Sequence, residues 1–153
     1  MTDDRYPEEI LSEDDDCGIM PDNVQALRDA VVGHRIVKAE KRAIDNSDSW
    51  SRYGDAFVIT LDNGKEVRMY DTSDCCAGTS LERFLLNVDK VDHIILGVGT
   101  TEYYTKWHIY ADWGDVMELE VGWSCGNPFY YGYGFDIEVV DMDGNVLKTD
   151  RDD

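Results

Sequence analysis

The residues with the most chemistry to offer are Asp74-Cys75-Cys76, with Cys125 and the histidines His34, His93 and His108 placed elsewhere. Thiolates combined with imidazole suit zinc, and a thiolate beside a base is a nucleophile. The spacing argues against both. Adjacent cysteines on an extended chain point to opposite sides and rarely reach one ion, and a disulfide between neighbours is strained. Cysteines at 17, 75, 76 and 125 make neither paired Cys-x-x-Cys knuckles nor a disulfide framework. Packing as small apolar groups is the expected role. Asp74, Cys75, Cys76 and Cys125 form the candidate set for a metal, and no cofactor is expected. Asp71 and Asp74 read as turn residues bonding nearby backbone N–H groups. The histidines have no ligand spacing, and no Ser or Cys nucleophile pairs with them in sequence, so ordinary strand roles are expected. His108 shares a strand face with Tyr110 and is expected to be half exposed.

A second candidate is Phe129-Tyr130-Tyr131-Gly132-Tyr133-Gly134-Phe135, where aromatics interleave with glycines. Tyrosines on flexible loops give contact area at low entropy cost. Phe129, Tyr130, Tyr131 and Tyr133, with Trp123, His108 and Tyr110, are therefore the candidate binding residues; the alternative is a loop closing a sheet end. Asp141-Met142-Asp143-Gly144-Asn145 has part of a calcium-loop pattern but lacks its full spacing, and reads as a hairpin turn.

The formal charge is -19 over 153 residues. Residues 1–22 hold nine Asp/Glu against one Arg, and residues 141–153 five against two basic residues, so more than half of the excess lies at the ends. Such a chain repels nucleic acid and anionic lipid, and no basic stripe could track phosphates. No apolar run approaches the roughly 20 residues of a membrane span, and the acidic start lacks the order of a signal peptide. A cytoplasmic protein is expected, the host cytoplasm if phage-encoded, with no membrane and no direct nucleic-acid partner.

These residues need elements to hold them. Between Thr105 and Asp141 apolar and polar residues alternate with the period of half-buried strands. Met117, Leu119, Val121 and Trp123 fall on one face, and Glu118 and Glu120 on the other. Trp107, Ile109 and Ala111 oppose Lys106, His108 and Tyr110. The turn Asp112-Trp113-Gly114-Asp115 makes this an antiparallel hairpin. Upstream, Asp22 reads as the N-cap of a short helix with Val24, Leu27, Ala30 and Val31 on its apolar face and Gly33 after its end. Strands are expected over His34–Ile44, Asp55–Leu61, Glu66–Tyr70 and Val91–Gly97, with a type I′ turn at Asp62-Asn63-Gly64-Lys65. Ser80–Asn87 suggests a second short helix, and Val146-Leu147 a last strand. The fold class is α+β and β-dominant: a single, mostly antiparallel, curved sheet of about seven strands with one or two short helices. Residues 1–21 read as an acidic arm, 22–148 as one globular domain and 149–153 as an acidic tail.

Two stretches carry a resemblance. One is Tyr70-Asp71-Thr72-Ser73-Asp74-Cys75-Cys76. The other is Thr105-Lys106-Trp107-His108-Ile109-Tyr110, followed by Gly114–Trp123 and Cys125-Gly126-Asn127-Pro128-Phe129-Tyr130-Tyr131. Over roughly Val32 to Val139 the chain resembles a family of small uncharacterised domains of bacteriophages and some bacteria. Asp74, Cys75, Cys76, Trp107, Tyr110, Trp123, Tyr130 and Tyr131 are the matching positions. The resemblance implies a shared fold and a phage origin, and no chemistry. With no catalytic signature legible, the expected function is that of a phage-type accessory protein: a non-enzymatic acidic module binding a protein with a basic surface, with inhibition of a basic or nucleic-acid-binding partner, by carboxylates standing where phosphates would be, as a special case. The alternatives are a metal-binding or thiol-dependent enzyme using Asp74-Cys75-Cys76, and a virion or assembly component.

Overall fold

The computed structural model describes residues 6, 19–43, 52–73, 78–124, 135–143 and 145–149. Helix α1 spans Ile19–Val31 and precedes nine strands: β1 (Ile36–Arg42), β2 (Arg52–Leu61), β3 (Glu66–Ser73), β4 (Gly78–Leu86), β5 (Gly97–Thr101), β6 (Lys106–Ala111), β7 (Gly114–Ser124), β8 (Asp136–Val140) and β9 (Val146–Thr149). All pairings are antiparallel, in the order β1-β2-β3-β4-β7-β6-β5, with β8 also on β3 and β9 on β8. The β-dominant α+β expectation holds, as one unclosed sheet with one helix among the described residues.

The sheet divides at β3. Glu66 to Tyr70 pair with β8, whereas Thr72 and Ser73 pair with Thr79 and Gly78 of β4. One limb is β1-β2-β3-β8-β9 and the other β4-β7-β6-β5. Their apolar faces meet in one core that takes Phe57, Ile59, Val67, Met69 and Ile137 from the first limb and Leu81, Trp107, Ile109, Met117 and Leu119 from the second. Phe57 and Phe84 touch across the divide with centroids 4.6 Å apart. Met20, Val24, Leu27 and Val31 of α1, at helical spacing, are buried against that core.

The divide is held by Asp71. Its carboxylate accepts the Leu81 N–H at 3.0 Å, while Lys41 donates to the Leu81 carbonyl at 3.2 Å. This is a contact between strands ten residues apart rather than the local turn bond expected. Burial pushes the Asp71 carboxyl above its ordinary value; the Leu81 N–H and the charge of Lys41 oppose that, and Glu82 adds to it. With the folded value raised, the native state holds the proton more tightly than the unfolded chain. Stability therefore falls as pH rises through the window between the two values. Asp71→Asn keeps an acceptor and loses the charge. Urea melts should show the variant more stable than wild type at pH 7 and the two converging in acid; a variant weaker at pH 7 that still converges with wild type in acid would mean the charge itself is needed.

Several local expectations are corrected. The helix starts three residues before Asp22, which lies in its first turn where a carboxylate favours the dipole; Pro21 is tolerated there because first-turn N–H groups have no intrahelical acceptor. Gly33 does terminate the helix, with φ +91, and its N–H bonds the Ile95 carbonyl at 2.9 Å. In the 62–65 turn only Gly64 has positive φ, +85, and its N–H returns to the Leu61 carbonyl. That is a type I turn closed by a left-handed glycine rather than type I′.

Ser80–Asn87 is not a helix but most of β4. A register shift between Leu81 and Arg83 sets Leu81 and Phe84 three apart on the core face, which imitates helical spacing. Val91–Gly97 is not a strand: the connection turns at Asn87–Lys90 and Lys90–His93, and β5 begins at Gly97. Glycine's low strand propensity concealed it. His34 and His93 consequently lie outside strands, paired with Asp62 at 3.1 Å and Asp112 at 3.3 Å.

Candidate functional site

The outer face of β5, β6 and β7 carries a cluster of polar and aromatic side chains. Strand alternation puts Lys106, His108 and Tyr110 of β6 on this face, opposite Thr101, Gly99 and Gly97 of β5. On β7 a register shift pairs Ile109 with Met117 but Tyr110 with Asp115. The bulged residue, Val116, turns into the core and Asp115 turns outward beside His108. Without that extra residue Asp115 would fall on the core face.

His108 is buried, not half exposed. Its Nδ1 lies 2.8 Å from Asp115 Oδ2 and its Nε2 2.8 Å from Thr101 Oγ1. An ionised carboxylate only accepts, so Nδ1 carries the proton, and in the neutral ring Nε2 accepts the Thr101 hydroxyl. The imidazole is thereby fixed in place and orientation. Tyr6 covers it: the rings stack at 4.2 Å with 9° between planes, and the Tyr6 hydroxyl donates to Asp115 Oδ1 at 2.6 Å. Tyr110 meets Tyr6 edge-on at 5.6 Å. A methyl at Gly99 would stand 2.3 Å from the Tyr6 Cβ, and one at Gly97 2.5 Å from the Tyr110 hydroxyl. Two glycines on β5 thus open a slot, and two tyrosines lie over it.

Beside the slot a groove of about 390 Å³ is lined by Arg83, Phe84, Leu85, Lys106, Glu118 and Glu120. Arg83 grips Glu120 with two bonds, at 2.7 and 2.9 Å, raising its own pKa and lowering that of Glu120. Lys106 lies between Glu102 and Glu118, each at 3.4 Å, and they raise its pKa. Glu118 and Glu120 of β7 thus stand beside cations.

At one end of this face β5 joins β6 through Glu102, Tyr103 and Tyr104, all left-handed with φ 56, 61 and 61. Each such residue costs about 1–2 kcal/mol without glycine. Three captured carbonyls offset the strain: Thr105 bonds that of Glu102, the Trp123 indole that of Tyr103 at 3.0 Å, and the Trp107 indole that of Tyr104 at 2.9 Å. Trp123 also stacks on Tyr103 at 6.0 Å. At the other end Trp113 projects from the two-residue hairpin loop, 69% exposed. The connection from β4 to β5 wraps this end, bonded to the hairpin at Val116 and Tyr110, and exposes Val88, Ile94 and Leu96. Asp89, Asp92 and Asp112 are exposed in the same segments.

Of the sequence candidates, His108 and Tyr110 come together in the slot, while Trp123 is half-buried at the strained turn. Phe129, Tyr130, Tyr131, Tyr133, Asp74, Cys75, Cys76 and Cys125 lie outside the described residues. Among the described residues no group of three or more His, Cys, Asp or Glu could hold a metal ion, and no helix is long and apolar enough to cross a membrane. Sequence reasoning missed Tyr6, Gly99, Thr101 and Asp115. The hairpin pattern brought 108 and 115 near each other; the bulge that sets their facing leaves no local trace.

Residues 29–137 match the family model described as Domain of unknown function (DUF7448). The span runs from the last turn of α1 into β8, so the slot residues lie inside it and Tyr6 outside. No curated protein and no solved structure matches the chain.

Proposed function

The chain belongs to the DUF7448 family, a domain of unknown function, and within it we propose a non-enzymatic acidic module that binds a protein with a basic surface. The observation that carries the reading is the exposed end of the β6–β7 hairpin. Trp113, Leu96, Ile94 and Val88 offer apolar area there, and Asp89, Asp92 and Asp112 bring negative charge to the same segments. An exposed aromatic anchor amid apolar neighbours is typical of binding energy concentrated in a few residues. The net charge of -19 would speed encounter with a cationic partner and make it salt-dependent. A phage-type accessory role in a host cytoplasm is part of the proposal, supported by the resemblance carried by Tyr70–Cys76 and Thr105–Tyr131. Imitation of a phosphate track is disfavoured, since Glu118 and Glu120 stand beside Lys106 and Arg83.

Immobilised wild-type protein should retain a defined host or phage protein at low salt and release it as salt rises. Trp113→Ala should lose at least tenfold in affinity, the scale of an aromatic anchor at about 2 kcal/mol or more, with an unchanged melting temperature. Retention unaffected by Trp113→Ala would remove this surface from consideration; retention of nothing at any salt would remove the reading.

A hydrolytic reading rests on the Thr101–His108–Asp115 chain, which has the order of a hydroxyl, base and orienting carboxylate. Against it, the Tyr6 ring lies flat on the imidazole.

A further inference from the structure

The slot over His108 meets the ring, the hydroxyl and the stem of a phenol. The imidazole takes its face, Tyr110 its edge, and Asp115 its hydroxyl, while Gly99 leaves room for the side-chain stem. Much of this seat stands without Tyr6. Thr101 and Asp115 hold the imidazole between them, and Tyr110 occupies the space that Gly97 leaves. The bulge at Val116 supplies the acceptor. The seat lies within the family domain, whereas its occupant comes from a segment outside the matched span, thirteen residues before α1.

We propose that this slot is a binding site for a tyrosine side chain of the partner protein, and that Tyr6 is an intramolecular occupant which the partner's tyrosine displaces. The proposal rests on the protein-binding reading above and names the chemistry recognised: a tyrosine with a free hydroxyl on a cationic surface. Charge complementarity fixes the second property, since the chain carries -19 and the phenol's acceptor is itself a carboxylate. A tethered occupant competes at an effective concentration on the order of millimolar. A foreign tyrosine therefore needs further contacts to win, which the exposed hairpin end of the same β6–β7 pair can supply.

The seat can be tested without the partner. The probe is a synthetic peptide of residues 2–12, with and without Tyr6→Phe, titrated into full-length wild type and full-length Tyr6→Ala while the ring signals of His108 are followed by NMR. The peptide should bind Tyr6→Ala and move those signals, and bind wild type at least tenfold more weakly. The Phe peptide should bind about tenfold more weakly than the Tyr peptide, having lost a hydrogen bond to a charged acceptor. Gly99→Val, which fills the stem's place, should bind neither. No binding to a folded Tyr6→Ala protein, equal binding to wild type, or undiminished binding to Gly99→Val would each overturn the slot. A wild-type dimer that dissociates on Tyr6→Ala would show exchange of arms between copies and overturn displacement by a foreign tyrosine.

Capture of the partner separates the two proposals. Tyr6→Ala should raise partner affinity and Gly99→Val lower it. Partner binding that needs Trp113 but ignores both changes overturns the slot proposal alone. Peptide binding at the seat with no partner retained under any condition overturns the protein-binding reading instead.

Discussion

Asn23→Ala should cost on the order of 2–4 kcal/mol, as two buried peptide groups lose their partners. Asn23 is a polar residue in the first half of α1, yet it is only 3% exposed. Its amide reaches across to β8: Nδ2 donates to the Phe135 carbonyl at 2.9 Å, and Oδ1 accepts the Phe135 N–H at 2.8 Å. Both bonds join a side chain to one backbone residue 112 positions away, just before β8 starts. Alanine cannot replace either. Asn23→Asp should be at least as damaging, because a carboxylate would face the Phe135 carbonyl with no proton to offer. The measurement is urea unfolding followed by Trp fluorescence, with m unchanged and the midpoint lowered. A loss below about 1 kcal/mol would mean that α1 is not clamped to β8 through this amide.

Trp107→Ala should lower stability by about 3–5 kcal/mol, a large share of what a domain of this size possesses. Trp107 is fully buried and is the largest such side chain among the described residues. It packs edge-on against Phe135 with centroids 5.4 Å apart. Its indole N–H also holds the Tyr104 carbonyl at the end of the left-handed turn. The substitution removes core volume and one of the bonds that offset the strain at 102–104. Trp107→Phe restores much of the volume but not the donor, so it should recover part of the loss and leave the turn faster in amide exchange at Thr105 and Lys106. Equal exchange in wild type and Trp107→Phe would show that the indole bond does not hold the turn.

The two substitutions should not be additive. Asn23 fixes the Phe135 backbone, and Phe135 packs on Trp107, so each change disturbs the same contact. The double variant should cost less than the sum, with a coupling of about 0.5–3 kcal/mol. Additivity would indicate that Phe135 keeps its place without the clamp.

What could be read along the chain was whatever depends on neighbours in sequence. Alternation at Trp107–Ala111 and Met117–Val121 assigned those strands and their core faces correctly, because a pleated strand has a fixed period of two. Gly33 and Gly64 marked a helix end and a turn, because few other residues accept a left-handed backbone. The helix face of Val24, Leu27 and Val31 followed from its own period. Tertiary pairing decided the rest. Leu81-Glu82-Arg83-Phe84 has the composition and spacing of a helix, and is a bulged strand because β7 offers it a complete edge. Tyr103 and Tyr104 adopt a backbone that their type disfavours, because two indoles hold their carbonyls. His108, read as a half-exposed strand residue, becomes the floor of a slot because Asp115 is turned by one extra residue and Tyr6 is brought from outside the family span. Sequence fixes a side chain's face through local geometry; which groups share that face depends on register between distant strands, and a shift of a single residue reverses it.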